Sequence, residues 1–319
     1  MKTKLIVHPH ELDTDWIDRM VGLGVSVLGI HPEGGPTSHE NVSRDLTRFD
    51  TPEFRSLIDY AHARGLRVEY ELHVARYLMP QHLFSEHPEW FRMDENGERI
   101  ADFNFCVSNR EALSFVADRA LELSKHLYGS SPNYFLWLDD VKGRFCNCPS
   151  CKKLSPSDQN LTAMNAIVAA LRRKHPNATL AYLAYYEGVT PPTQVSPAPG
   201  IFLEYAPFER YYPRKVSRQL DERDRAELEA LLQVFDAQTA WVLEYWFDNS
   251  YYTRRAESRT PVPFTPDNAR IKEEIQWYAD RGITQLSSFA CFLGKEYQRL
   301  HGTPDLSAFQ KQTIGENTQ

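Results

Sequence analysis

Residues 134–151 read YFLWLDDVKGRFCNCPSC. The first five are apolar and largely aromatic, a run of strand length, and they stop at two adjacent carboxylates, Asp139 and Asp140, before a loop with three cysteines. In a barrel of parallel strands, the carboxyl end of each strand is where chemistry sits. The stretch therefore predicts a strand that delivers an acidic pair to the working face of such a barrel. The remaining chain must then provide the other strands.

Outward from this run, short β-rich segments alternate with amphipathic helical ones, the pattern of an α/β protein with a parallel sheet. Strands are predicted at residues 4–7, 25–30, 66–73, 134–138, 179–186, 201–205, 239–246 and 283–289. One helix starts near Asp13 and turns Trp16, Ile17, Met20 and Leu23 inward, while Thr51-Pro52 supplies an N-cap and a first-turn proline for another. Ser108-Asn109-Arg110-Glu111 reads as a capping box. Further helices are expected from about Asp158, over 221–236, after a Thr265-Pro266 cap, and from Asp305. The junctions Gly24-Val25, Gly65-Leu66 and Gly282-Ile283 repeat one turn from helix through glycine to strand, which argues for a single layered architecture.

Two connections depart from a regular alternation. A long excursion over 74–107 follows strand three, and TPPTQVSPAPG, before strand six, leaves no room for a crossover helix. With eight strands counted, the prediction is an α/β fold, one (β/α)8 TIM barrel over residues 1–302, with 303–319 as a helix or tail of the same domain.

The chain has 319 residues, 42% hydrophobic and 12% aromatic, enough to bury a large core. A net charge of -7 and an isoelectric point near 5.9 argue against a nucleic-acid partner, which would require a basic surface. No segment approaches the roughly 20 apolar residues of a membrane span, and the N-terminal apolar run ends at Val7, too short for a signal peptide. Five cysteines, three of them clustered, do not resemble a secreted disulfide framework, so a cytoplasmic location is expected. The sequence leaves the oligomeric state open. HExxH, GxSxG, P-loop and GxGxxG patterns are all missing.

Carboxylates recur where the predicted strands end: Glu71, Asp139, Asp140, Glu187, Glu204, Glu244 and Asp248. Gathering them around one cavity is costly unless protons, cations or ligand hydroxyls compensate, and sugars carry many hydroxyls. The ordinary fate of any single one is solvation at the rim or pairing with an arginine such as Arg144 or Arg210. Tyrosines and tryptophans cluster at the same ends, including Tyr185, Tyr205, Tyr245, Trp246, Tyr211, Tyr212, Tyr251 and Tyr252, and aromatic faces stack on pyranose rings. Core packing is the alternative use of such rings.

Cleaving a glycosidic bond takes a proton donor and a second group that stabilises or attacks the oxocarbenium-like centre. Asp140 is the expected acid. Its partner is either Glu244, as nucleophile or base across the barrel mouth, or Asp139, orienting a substrate N-acetyl group that serves as internal nucleophile. Expected substrate contacts are His31 and Glu33 in the segment HPEGG, His73, Tyr185, Glu187, Glu204, Tyr205, Tyr245, Trp246 and Asp248. Catalysis of this kind needs no cofactor.

Cys146, Cys148 and Cys151 are close enough in sequence for three thiolates to meet one soft ion, and Cys106 is the candidate fourth ligand of a structural Zn2+. Free thiols or a disulfide are the alternatives. Cys291, in the apolar run SSFACF, reads as a buried structural thiol.

The segments HPEWFRMDENGER, NFCVSN, FLWLDD with CNCPSC and LSPSDQ, AYLAYY, GIFLEYAP, LEYWFDNSYY and ITQLSSFACFLGKEY resemble, in that order, domain-of-unknown-function family 4838. That family is related to glycoside hydrolases and includes the barrel of glycoside hydrolase family 163, endo-acting β-N-acetylglucosaminidases. The resemblance implies a TIM barrel, a carbohydrate substrate and a substrate-assisted mechanism. Characterised relatives have a glutamate in the acidic pair, where this chain has two aspartates. The expected function is thus a retaining glycoside hydrolase on a β-linked sugar; a silent sugar-binding barrel and a metal-dependent barrel enzyme are the rival readings.

Overall fold

The computed structural model describes residues 1–208, 222–258 and 260–310. Strands β1 (Lys2–Val7), β2 (Val27–Ile30), β3 (Arg67–His73), β4 (Asn133–Trp137), β5 (Thr179–Ala184), β6 (Ile201–Tyr205), β7 (Trp241–Glu244) and β8 (Gln285–Phe289) close in sequence order into a parallel barrel. Closure is made by β8 against β1, with Lys2 opposite Gln285 and Ile6 opposite Phe289. Around it lie α1 (Thr14–Gly22), α2 (Ser38–Phe49), α3 (Pro52–Ala63), α4 (Ala75–Leu78), α5 (Arg110–Leu123), α6 (Pro156–Arg172), α7 (Glu222–Leu231), α8 (Ser250–Arg255), α9 (Asn268–Ala279) and α10 (Lys295–His301). The chain is a (β/α)8 TIM barrel, as its strand pattern predicts.

Because side chains alternate across a strand, the barrel has two cores. One faces the helices and holds Leu5, Val7, Leu28, Tyr70, Leu136 and Val242; the other fills the barrel with Ile6, Val27, Phe135, Trp137, Leu183, Phe202, Trp241, Leu243 and Phe289. At the bottom of the interior Lys4 Nζ lies 2.8 Å from Glu69 and 2.5 Å from Glu71, with the Phe135 ring centroid 3.6 Å away. Burial alone would favour the neutral amine, but Glu69, Glu71 and Glu204 outweigh it and hold the Lys4 ammonium charged. Gly29 makes room for this side chain: a Cβ there would stand 2.6 Å from Ile6 and 3.1 Å from Lys4.

Gly24, Gly65 and Gly282 all adopt positive φ, ending a helix just before a strand, because only glycine takes that conformation without strain. Several local expectations are corrected. Helix α2 has no counterpart in the sequence pattern, because its polar stretch masks the buried stripe Val42, Leu46 and Phe49. Asn109, not Ser108, caps α5 by accepting from the Glu111 and Ala112 amides, because the Ser108 hydroxyl turns to Cys151. Asp267 rather than Thr265 caps α9, and Ser155 caps α6 ahead of Pro156. Past Asp305 the chain forms a 3-10 turn over Ser307–Phe309, and residues 311–319 lie outside the described part.

Between β5 and β6 stands only the 3-10 turn Tyr186–Val189 in place of a crossover helix. Asp158 on α6 supplies the missing anchorage, its Oδ1 accepting the amides of Thr193, Gln194 and Val195 at 2.9–3.0 Å. The excursion after β3 contains α4, 3-10 turns at Gln81–Ser85 and Pro88–Trp90, and an antiparallel bridge between Met93 and Arg99.

Candidate active site

At the carboxyl ends of the strands opens a cleft of about 390 Å3. Its walls come from different strands and the loops after them: His8 after β1, His31 after β2, His73 and Trp137 on β3 and β4, Asp140 beyond β4, Tyr185 after β5, and Tyr245, Asp248 and Phe289 around β7 and β8. Apolar ring faces beside a few polar groups suit an amphipathic, hydroxyl-rich ligand.

Asp140 faces this cleft. Its Oδ2 accepts the Gly35 amide at 2.6 Å and its Oδ1 accepts the Tyr185 hydroxyl at 2.9 Å. The glycines of HPEGG permit that approach, since a Cβ on Gly34 would come 2.7 Å from Asp140 Oδ2 and Gly35 holds a φ of +83°. Burial keeps the Tyr185 and Tyr245 phenols neutral, and the negative charge of Asp140 adds to the effect.

Asp139 turns the other way, into a small recess shared with Asn104, Asn160, Tyr186 and Glu187. Its Oδ1 accepts the Arg76 amide at 3.0 Å and its Oδ2 the Asn104 amide at 2.7 Å, while its own amide donates to Asn104 Oδ1 at 3.0 Å. Burial pushes the Asp139 carboxyl above the usual range against the pull of these amides.

Three histidines share one orientation. His8, His31 and His73 each set Nδ1 against a backbone carbonyl, of His31, Glu71 and Leu138, at 2.8, 2.8 and 2.7 Å. A carbonyl only accepts, so Nδ1 carries the proton, and in the neutral ring Nε2 is left as an acceptor. Burial favours that neutral form at His8 and His31. Such rings can accept from ligand hydroxyls.

Other expected site residues stand elsewhere. Glu244 is corrected: Leu243 and Tyr245 face the cleft, so Glu244 points outward between β7 and α9, fully buried, and accepts the Tyr278 hydroxyl at 2.5 Å. The same parity turns Trp246 away to donate to Glu274 at 2.6 Å. It also turns Tyr205 outward, its hydroxyl donating to the Asp224 carbonyl at 3.2 Å. Glu204 faces inward but lies beneath the cleft, accepting Trp137 Nε1 at 3.0 Å, and burial followed by repulsion from Glu71 favours its protonated form. Glu33 is at the rim, 3.2 Å from Arg254 of α8. Glu187 lines the recess, Tyr251 the cleft, and Tyr252 packs on Phe264. Arg210, Tyr211 and Tyr212 lie outside the described residues. Cys291 is buried and reaches the cleft.

The sequence reading missed His8, Asn104, Arg76 and Arg254. His8 had a usable signal, directly following strand one as His31 follows strand two. Asn104 had none, since only folding brings it to Asp139.

Among the described residues no helix is long and apolar enough to cross a membrane. No curated protein matches the chain in sequence. Among solved structures it is similar to a β-galactosidase from Rahnella sp. R3, at 12% identity and a TM-score of 0.53 over 91% of this chain and 50% of that one. It is similar also to a protein described as a glycoside hydrolase, at 12% identity and a TM-score of 0.52 over 92% of this chain and 89% of that one. The chain thus spans half the length of the β-galactosidase, and at such identity the likeness concerns the barrel. Residues 40–298 match the family described as Domain of unknown function (DUF4838). Over most of its length, then, this (β/α)8 barrel is a member of the DUF4838 family.

Proposed function

We propose that the chain is a retaining glycoside hydrolase acting on a β-linked carbohydrate, with Asp140 as the acid that protonates the departing oxygen. The observation that carries this reading is the Asp140 carboxylate in an aromatic-walled cleft at the carboxyl ends of the barrel strands, where among the described residues it accepts from the Gly35 amide and the Tyr185 hydroxyl and forms no ion pair. Glu244, turned to the helix layer and bonded to Tyr278, does not face the cleft and is no nucleophile in this reading. The partner role falls to Asp139: its recess adjoins the cleft at His73, Leu183, Tyr185 and Tyr186, and a carboxylate oxygen that accepts one amide keeps a second lone pair for the N–H of a substrate acetamide. This favours an N-acetylhexosaminide and an internal nucleophile, with His8, His31 and His73 accepting from sugar hydroxyls.

A second reading, a sugar-binding barrel without turnover, has one specific support. Both Asp140 oxygens already accept protein donors, the Gly35 amide and the Tyr185 hydroxyl, so a ligand would have to share or displace those bonds to reach the proposed acid. Kinetics separate the two readings. On an oligosaccharide whose leaving alkoxide needs a proton, Asp140→Asn should lower kcat/KM by about 10²–10⁴, and by far less on a dinitrophenyl glycoside, whose leaving group needs none. Equal losses on both substrates would remove the acid role. Oligosaccharide binding by calorimetry with no product from the wild-type protein would establish the silent barrel instead.

A further inference from the structure

The four cysteines outside the cleft use their sulfurs in a way that packing alone does not explain. Cys106 ends the excursion after β3, and Cys146, Cys148 and Cys151 belong to the loop between β4 and α6. All are buried, none is in a disulfide, and their four Sγ atoms lie within 4.8 Å of one another. Cys106 Sγ is 3.7 Å from that of Cys148 and 3.8 Å from that of Cys151. A disulfide would need about 2.05 Å. Four sulfurs at about 2.3 Å from a central zinc form a tetrahedron with edges of about 3.8 Å.

Thiols that merely fill a core need no polar company. These have it: the Met93 amide donates to Cys146 Sγ at 3.3 Å, the Cys151 amide to Cys148 Sγ at 3.4 Å, and the Ser108 hydroxyl lies 3.0 Å from Cys151 Sγ. Arg99 Nη1, a cation, is 3.8 Å from Cys146 Sγ. Donors and positive charge around sulfur are what a doubly negative tetrathiolate–metal centre requires. Buried Gln159 braces the ligand loop, donating to the Cys146 and Cys151 carbonyls and accepting the Cys146 amide, each at 3.1 Å.

We infer that Cys106, Cys146, Cys148 and Cys151 bind one structural zinc ion that clamps the excursion after β3 to the loop bearing Asp139 and Asp140. Four soft thiolates with no open position select zinc over harder cations and exclude a catalytic role for the metal. The consequence for the acidic pair runs through Asn104, two residues before Cys106. Asn104 sits at a φ of +54° and exchanges two hydrogen bonds with Asp139. The zinc holds this strained residue against the carboxylate.

Metal analysis of untagged protein, purified under reducing conditions without added metal, should find one zinc per chain. Replacement by Co2+ should give thiolate-to-cobalt charge-transfer and tetrahedral ligand-field absorption, lost in Cys106→Ser. Chelation should release the zinc, lower Tm by several degrees and open residues 92–105 to proteolysis. Protein with less than a tenth of an equivalent of zinc and four freely titrating thiols would overturn the inference, as would iron in its place or a cobalt form without thiolate bands. If Cys106→Ser does not fold, the wild-type zinc content and cobalt spectrum decide. None of these readouts involves sugar turnover, so the zinc clamp stands or falls apart from the proposed hydrolase.

Discussion

Asp139 and Asp140 are adjacent in sequence, yet one accepts two backbone amides in a closed recess and the other a tyrosine hydroxyl and a glycine amide beside an open cleft. Identical side chains therefore do different work because the chain turns as it leaves β4. Asp139→Ala would leave the Arg76 and Asn104 amides buried without acceptors, each costing about 1–3 kcal/mol. Urea denaturation should show that loss, and a variant within about 0.5 kcal/mol of the parent protein, the range of a neutral surface change, would mean that water replaces the carboxylate. Asp139→Asn keeps one oxygen acceptor and should lose less.

Strand parity governs the next scale. In β7 it turns Leu243 inward and Glu244 to Tyr278, so an acidic residue at a strand end need not reach the cleft. Loops beyond the strands also carry partly buried ionisable groups. Glu11, between β1 and α1, accepts the Phe292 amide beyond β8 at 2.7 Å, and burial raises its carboxyl from 4.5 to about 7 despite that bond. A carboxyl raised in the folded state binds its proton more tightly there, so this contribution is fully present below about pH 4.5 and is lost as pH rises towards 7. Glu11→Gln keeps the acceptor oxygen without the ionisation. It should match the parent protein near pH 4.5 and exceed it at pH 8 by on the order of 1–3 kcal/mol, as read by denaturant unfolding at both values. An advantage at pH 4.5 that vanished at pH 8 would refute the burial argument.

For the whole molecule, closing β8 onto β1 places Lys4 against glutamates from β3 and β6 in one buried interior. Removing one partner of such a cluster leaves uncompensated charge, so Lys4→Met should cost about 3–5 kcal/mol at neutral pH. Glu71 and Glu204 are already pushed towards the protonated form by burial, and without the ammonium they move further. The variant should regain stability as pH falls and those carboxyls take up protons. Thermal unfolding of Lys4→Met between pH 5 and 8 tests this; a pH-independent deficit would show the loss to be one of packing.

The barrel was legible because its signals are local. Apolar runs of strand length, glycines ending helices before strands, and the Thr51-Pro52 cap each depend on near neighbours, and eight repeats admit few topologies. Failures came where local and tertiary demands compete: Ser108 resembled a cap but turns to Cys151, and the ordinary-looking run 38–49 is helical because its apolar stripe meets the barrel. The sequence alone determined that carboxylates and aromatics crowd the strand ends. Which of them meet was decided by closure and parity, since a one-residue alternation sends Tyr245 into the cleft and Glu244 behind the wall. Only the fold could bring Asn104 to Asp139, or Cys106 to three cysteines some forty residues away, because such contacts exist only once the loops above the barrel have packed together.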